Sequence, residues 1–270
     1  MFKEIGLSDF EKVRRLFQGH KQYIPVLAII DGRFPGRIFV DKSQYPEVAI
    51  AWAISRWAYI EGNHDWNELA FSLSDLIREI IIPDSLGMNI KWFELYAPNS
   101  GEWKGKLDKW LKDFNCKRHY ETAYIWDKPA YDRFRTEYSI PVEVALEISD
   151  HPILPEHISK TPFVSDSLKS QTAIGCKATV NGKTVAYCRS NGLASDNEFM
   201  IDIATSDRSL RGKGYATAAA VGLLDYCFDK RLAPLWETTE DNAASRRLAQ
   251  KLGFIEAETY PVYRLDPIEV

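Results

Sequence analysis

The sequence predicts an α/β (α+β) chain of two related halves, in which strands alternate with helices. Three observations predict it. Short runs rich in β-branched and aromatic residues alternate with amphipathic stretches at helical spacing. The order strand, polar turn, helix, strand occurs over residues 92–127 and again over 235–266. The dipeptide Asn181-Gly182, the strongest short hairpin signal, joins two strand patterns in the second half.

Taken in order, residues 1–23 read as helical, with Phe10, Val13, Leu16 and Phe17 on one face. Residues 24–30 are a short apolar run, 31–36 a turn cluster and 37–40 a strand. Residues 48–60, with Trp52, Trp57 and Tyr59, form a strand pair that Glu61-Gly62-Asn63-His64-Asp65 breaks. A helix over 66–81, a strand over 92–96, a helix over 103–114 and a strand over 121–126 follow. Lys128-Pro129 opens a bridge to the second half that runs through Arg135. Residues 143–148 read as a strand, and 149–172, with Pro152, Pro155 and Pro162, as partly loop. Strands over 174–180, 184–189 and 198–204 lead into Ser206-Asp-Arg-Ser-Leu-Arg-Gly-Lys-Gly-Tyr-Ala-Thr217. The helix leaving that stretch, 216–230, places Ala220, Leu223, Leu224 and Cys227 on one face. After a strand over 233–238, Asp241 or Asn242 caps a helix that ends at Gly253, where a left-handed residue is expected. Phe254 opens the last strand, through Tyr263 and Leu265.

The repeated order divides the chain into 1–130 and 131–270. In the first copy Glu61-Gly62-Asn63-His64-Asp65-Trp66 occupies the place of the glycine-rich stretch and offers acidic groups there.

Composition narrows the function. Apolar residues make up 45% of the 270, enough for a packed core, and the net charge of −4 speaks against a nucleic-acid surface. No apolar run reaches the ~18 residues of a membrane span. The first residues lack the apolar core of a signal peptide, so a cytoplasmic protein is expected. Cys116, Cys176, Cys188 and Cys227 form no C-x-x-C pair and read as reduced, buried thiols. The histidines show no metal-ligand spacing, and no metal is expected.

The stretch 206–217 carries the chemistry. Arg211, Gly214 and Ala216 stand at the spacing R-x-x-G-x-A between a strand and a helix. Such a loop gathers backbone N–H groups at a helix start and suits a phosphate or pyrophosphate. Gly212 and Gly214 let a ligand approach the main chain closely. A P-loop would need Ser or Thr after Gly212-Lys213, and a dinucleotide fingerprint would need glycine at Thr217. A plain capping turn is the competing reading.

The loop resembles the pyrophosphate loop, [Q/R]-x-x-G-x-[G/A], of the GNAT superfamily of acetyl-coenzyme-A-dependent N-acetyltransferases. Within it, Pro234-Leu-Trp236, Asn242, Ser245 and Leu248-Ala-Gln-Lys-Leu-Gly-Phe254 are similar to the zwittermicin-A-resistance-type acetyltransferases. Phe34-Pro-Gly-Arg-Ile-Phe-Val-Asp41 resembles their N-terminal region. The resemblance implies a tandem GNAT-like architecture, a mixed twisted sheet flanked by helices, with the first half degenerate. It implies acetyl-CoA as cosubstrate, its pantetheine arm paired with backbone of Ala204, Thr205 and Ser206. Its pyrophosphate would rest on the N–H groups of Arg211, Gly212, Lys213, Gly214, Tyr215 and Ala216. Asn242 matches the family's coenzyme-contacting asparagine, with a helix-capping role compatible beside it, and Ser245 is a further contact. The side chains of Tyr215 and Trp236 read as core.

The resemblance implies direct acetyl transfer to a primary amine of a small molecule or a protein. The proton acceptor is open among Glu198, Asp202 and Glu237. Glu198 and Asp202 share a face of the strand before the loop, and Glu237 lies on the next strand. The family's tyrosine acid falls at Ala249, a departure that leaves Tyr260, Tyr263 or unassisted thiolate departure. A non-catalytic acyl-CoA-binding or sensor module stays open beside the enzyme. So do the acceptor pocket around 149–171 and the choice between monomer and homodimer.

Overall fold

The computed structural model describes residues 2–54, 56–63, 66–154, 156–161 and 164–265. The chain forms two compact units. Unit 1 comprises Met1–Glu121, Pro155–Leu168 and Thr259–Val270, and unit 2 comprises Thr122–Leu154 and Lys169–Glu258.

Unit 1 opens with β1 (Lys3–Ile5), where a helix is expected, because these residues pair antiparallel with β2 (Gly36–Val40). Helical structure starts only at a 3-10 turn, Leu7–Val13, and α1 (Arg14–Phe17). The apolar run 24–30 is a helix, α2 (Ile24–Ile30), with proline tolerated in its first turn. β2 pairs β3 (Val48–Ala53), and β3 pairs β4 (Trp57–Gly62), all antiparallel. A crossover of α3 (Trp66–Leu76), a π-turn over Ile77–Ile81 and α4 (Ile82–Gly87) leads to β5 (Phe93–Tyr96). β5 lies parallel to β4, over Trp57–Tyr59 and Glu94–Tyr96. After α5 (Gly101–Trp110), capped by the Ser100 hydroxyl, comes β6 (Cys116–Trp126), which divides between the units.

In unit 2, the expected bridge after residue 127 is a helix, α6 (Lys128–Glu137). Asp127 caps it by accepting from the Ala130 N–H at 3.3 Å, and Pro129 sits in the first turn. β7 (Ala145–Pro152) follows, then short turns of helix at α7 (Glu156–Ser159) and α8 (Asp166–Lys169). Antiparallel ladders join β7 to β8 (Thr172–Val180), β8 to β9 (Lys183–Ser195) and β9 to β10 (Glu198–Thr205). At the β8–β9 turn both Asn181 and Gly182 have positive φ, as a tight primed hairpin requires. α9 (Tyr215–Lys230) crosses over to β11 (Ala233–Thr239), parallel to β10. α10 (Ala243–Lys251) and β12 (Phe254–Leu265) complete the chain. The last part of β12 pairs β5 within unit 1, with Val262 opposite Tyr96.

Both units therefore repeat one order: four antiparallel strands, a helical crossover, a parallel strand, a helix and a last strand. The fold is a tandem of mixed α/β units, as the repeated sequence pattern predicts. Alternation along the unit 2 strands turns Cys176, Ala178, Ala186, Cys188 and Phe199 into a core against Ala219, Ala220, Leu223, Leu224 and Cys227 of α9. Fully burying each larger apolar side chain contributes about 1.5–3 kcal/mol. The Tyr131 hydroxyl donates to Asp225 at 2.6 Å and Arg135 pairs the same carboxylate at 3.0 Å, which fastens α6 to α9.

Candidate functional site

The parallel ladder between β10 and β11 covers only Glu198–Met200 and Ala233–Leu235. β10 continues to Thr205 and β11 to Thr239 with no further pairs between them, so the strands part where β10 approaches the loop. On its other edge β10 stays paired, with Ala204 opposite Tyr187 and the Ser206 N–H bonded to the Val185 carbonyl at 2.9 Å. Strand alternation then directs the N–H and C=O groups of Ile203 and Thr205 away from β9, toward the parted side. Of the expected arm-binding residues, Thr205 faces that side, whereas the backbone of Ala204 and Ser206 is engaged by β9. Ile203 was not legible as a contact, because the assignment needs the register.

The loop is a compact turn. The Asp207 carboxylate accepts from the Ser209 N–H at 2.7 Å and the Ser209 hydroxyl at 2.6 Å. These bonds hold its pKa below the usual carboxylate range. A 3-10 turn over Arg208–Leu210 follows, and the Arg211 N–H donates to the Arg208 carbonyl. The expected donor at Arg211 is thus satisfied within the loop, leaving that residue its guanidinium. Gly212 and Gly214 adopt φ of 77° and 82°, and a Cβ on either would meet nothing within 4 Å. Backbone conformation, not crowding, selects glycine here, and the space above the loop is open. α9 then starts with no side-chain cap. A helix start leaves its first N–H groups without intrahelical partners, and here those belong to Tyr215, Ala216 and Thr217. Residues 206–209 and 211–214 before it are exposed, whereas Tyr215 and Thr217 are buried and Ala216 half-buried, so the positively polarised helix end lies just behind an exposed loop.

The carboxylates occupy different places. Asp202 is half-buried on β10 opposite Arg189, which approaches it at 3.5 Å, and the Tyr187 hydroxyl donates to it at 3.3 Å. Burial, then the Asp202 charge, pushes the Tyr187 pKa up. Glu237 lies on β11 beyond the end of the parallel ladder. Glu198 opens β10 at the end remote from the loop; the seven residues to Thr205 span about 23 Å of strand.

Asn242 caps α10, its side chain accepting from the Ser245 N–H at 3.1 Å. The Ser245 hydroxyl accepts from the Trp236 indole N–H at 2.9 Å, and Trp236 is buried in the core. Tyr215 is also buried, which agrees with a packing side chain.

A parted strand pair, a two-glycine loop, an uncapped helix and an asparagine-capped helix ending at Gly253-Phe254 follow in one order, and the family model for GNAT acetyltransferase matches residues 14–263. The chain belongs to the GNAT acetyltransferase family. It is similar to the uncharacterized N-acetyltransferase YdfB of Bacillus subtilis (strain 168), at 22% identity over 97% of this chain and 98% of that protein. The fold is similar to a GCN5-related N-acetyltransferase-like protein from Streptococcus suis 89/1591. That match has a TM-score of 0.66 and 20% identity over 96% of this chain and 99% of the other. A tandem GNAT protein from the clavulanic acid biosynthesis pathway matches with a TM-score of 0.61 and 12% identity, over 100% of this chain and 99% of that one. In this GNAT acetyltransferase Ala249 is fully buried against the core of unit 2.

Proposed function

We propose that the protein transfers an acetyl group from acetyl-CoA to a primary amine of a small molecule or a protein. The observation that carries the reading is the uncapped start of α9 behind two left-handed glycines, with open space above both. On this reading the N–H groups of Gly212 to Ala216 hold the pyrophosphate, with Arg211 and Lys213 adding charge. The outward backbone of Ile203 and Thr205 pairs with the pantetheine arm. Asn242 and Ser245 face the coenzyme from α10 while keeping their capping and indole-binding roles. The amine nitrogen attacks the thioester carbonyl, the C–S bond breaks, and coenzyme A leaves as thiolate. The proton lost by the ammonium passes to a carboxylate directly or through water. Asp202 and Glu237 lie near the parted strands and are the candidates for this, and Glu198 is the most remote of the three. We further assign the chain to the zwittermicin-A-resistance type and to the cytoplasm. Residues 1–130 are the degenerate copy and 131–270 the coenzyme-binding one, in a monomer or homodimer.

The test is release of free thiol from acetyl-CoA with a panel of amines, with acetyl-CoA affinity measured by calorimetry. Gly214→Glu sets a carboxylate against the pyrophosphate. Like charges brought together cost several kcal/mol, so affinity falls at least ~100-fold. Unchanged affinity would remove the phosphate loop from the site. The chain's own thiols stay quiet in this assay, since burial pushes Cys116 and Cys227 up to about 12 and Cys176 to about 11, and raises Cys188 as well. The buried Ala249 favours a second reading, an acyl-CoA-binding module without turnover. Coenzyme binding with no thiol release on any amine would select it.

A further inference from the structure

Unit 1 holds a cluster of side chains that coenzyme binding does not use. Glu94 of β5 and His119 and Glu121 of β6 each offer a ligand atom, and these atoms lie within 4.8 Å of one another. His119 and Glu121 are two apart on one strand and so share a face. Their spacing is not a histidine motif, which is why the sequence shows no metal pattern.

We propose that Glu94, His119 and Glu121 bind a divalent transition-metal ion. The Glu94 residue is 8% exposed, and a carboxylate oxygen of its side chain lies within 4.8 Å of the ligand atoms of the other two. Two carboxylates gathered this closely, one of them on a nearly buried residue, are costly, and a cation between the three groups would balance them. Glu121 is preset. Its Oε2 accepts from the Tyr96 hydroxyl at 3.2 Å, leaving Oε1 toward the imidazole, 3.3 Å from His119 Nε2. Two donors bonded at ~2.0 Å to one tetrahedral centre stand about this far apart. The Tyr96 hydroxyl is then the outer partner that orients a ligating carboxylate. One imidazole with two carboxylates suits Zn²⁺, Fe²⁺ or Mn²⁺ rather than a thiolate-seeking ion. Three protein ligands leave room for water to complete the coordination. Arg56 and Arg264 also act electrostatically on Glu94, and their guanidiniums lie over the Trp92 ring at 4.5 and 4.3 Å. They are the competitors for its charge.

The experiment uses the full, untagged chain, stripped by chelator and titrated with Zn²⁺ against a chromophoric competitor. Co²⁺ replaces it in a second titration for its visible absorption. The expected result is one ion per chain, with affinity reduced at least ~100-fold in both Glu94→Gln and His119→Ala, more than loss of an outer partner costs. Tyr96→Phe reduces it ~10-fold. Circular dichroism of each apo variant shows whether it is folded, and Glu121→Gln replaces any variant that is not. No stoichiometric binding by the wild type overturns the proposal, and so does binding that folded Glu94→Gln and His119→Ala leave unchanged. Either result would mean that Arg56, Arg264 and the His119–Glu121 contact alone balance the cluster. None of these readouts depends on acetyl transfer.

Discussion

The two units contain parallel ladders of equal length that end in different surroundings. β4 pairs β5 over three residues, and β10 pairs β11 over three. At the end of the first ladder, unit 1 is filled with tyrosine, beginning with the ladder's last pair, Tyr59 and Tyr96. The Tyr59 and Tyr96 rings are 4.7 Å apart, Tyr260 lies 6.0 Å from Tyr96, and Tyr23 packs edge-on to Tyr59 at 6.4 Å. All four are buried. The last residues of β4 are tied in as well, since Glu61 accepts from the Tyr23 hydroxyl at 2.7 Å and the Gly62 N–H at 2.8 Å. Past the second ladder, unit 2 shows half-buried Ile201, Ile203, Ala204 and Thr205 and then an exposed glycine loop. The same strand order thus yields a packed aromatic centre in one unit and an accessible backbone edge in the other. His64 and Asp65, expected to give the first copy an acidic turn, lie outside the described residues.

The widest gap should appear in coenzyme binding. Gly214→Glu lowers acetyl-CoA affinity at least ~100-fold. Asn63→Glu, at the corresponding turn of unit 1, is expected to change it less than twofold by calorimetry. A large loss from Asn63→Glu would show that the turn in unit 1 also acts on the ligand.

Stability should divide the other way. Tyr59→Ala removes a fully enclosed ring and is expected to cost about 3–5 kcal/mol by urea denaturation. Ile201→Ala, on a half-buried strand segment, should cost about 1–2 kcal/mol because the site is partly solvated already. Equal costs would erase the distinction.

Ser245→Ala leaves the Trp236 indole N–H without its partner and should cost about 1 kcal/mol. If the coenzyme also contacts Ser245, affinity for acetyl-CoA falls in parallel. An unchanged affinity would confine Ser245 to the packing of α10.

The smallest effect concerns Glu61. Burial raises its pKa above the ordinary value, against the lowering pull of the Tyr23 and Gly62 bonds. The folded state therefore holds this proton more tightly than the unfolded state. The stability linked to it is present below the unfolded pKa and is lost as pH rises through the folded one. Thermal melts of Glu61→Gln and wild type from pH 4 to 8 should show the difference moving in the variant's favour as pH rises. Movement in the opposite direction would mean that the Tyr23 and Gly62 bonds outweigh burial.

Much of this arrangement was legible in the residues. The hairpin at Asn181-Gly182, the strand into the loop, the cap at Asn242 and the left-handed Gly253 follow from local rules, because each depends on one or two residues and their immediate backbone. What failed was the N-terminus and residues 128–135. Lys3-Glu4-Ile5 becomes a strand only because a distant strand accepts it, and α6 was obscured by Pro129, which is harmless in a first turn. The glycine loop was visible as a motif, but which of its N–H groups are already bonded was not. Arg211 and Ser206 have theirs occupied by Arg208 and Val185, a matter of register and turn closure that spacing does not encode. The Glu94–His119–Glu121 cluster escaped for the same reason, since its members meet only through strand pairing.

The distribution of β12 bears on how this protein can be cut. Its residues from Thr259 onward supply the neighbour of β5, although the sequence pattern assigns them to the half that begins at residue 131. A fragment stopped near that boundary would carry β5 as a bare rim, open to strand addition from other copies and prone to self-association. The border of the sequence repeat and the border of the compact unit differ in this molecule. An expression clone of the first copy alone would need the last dozen residues grafted back on.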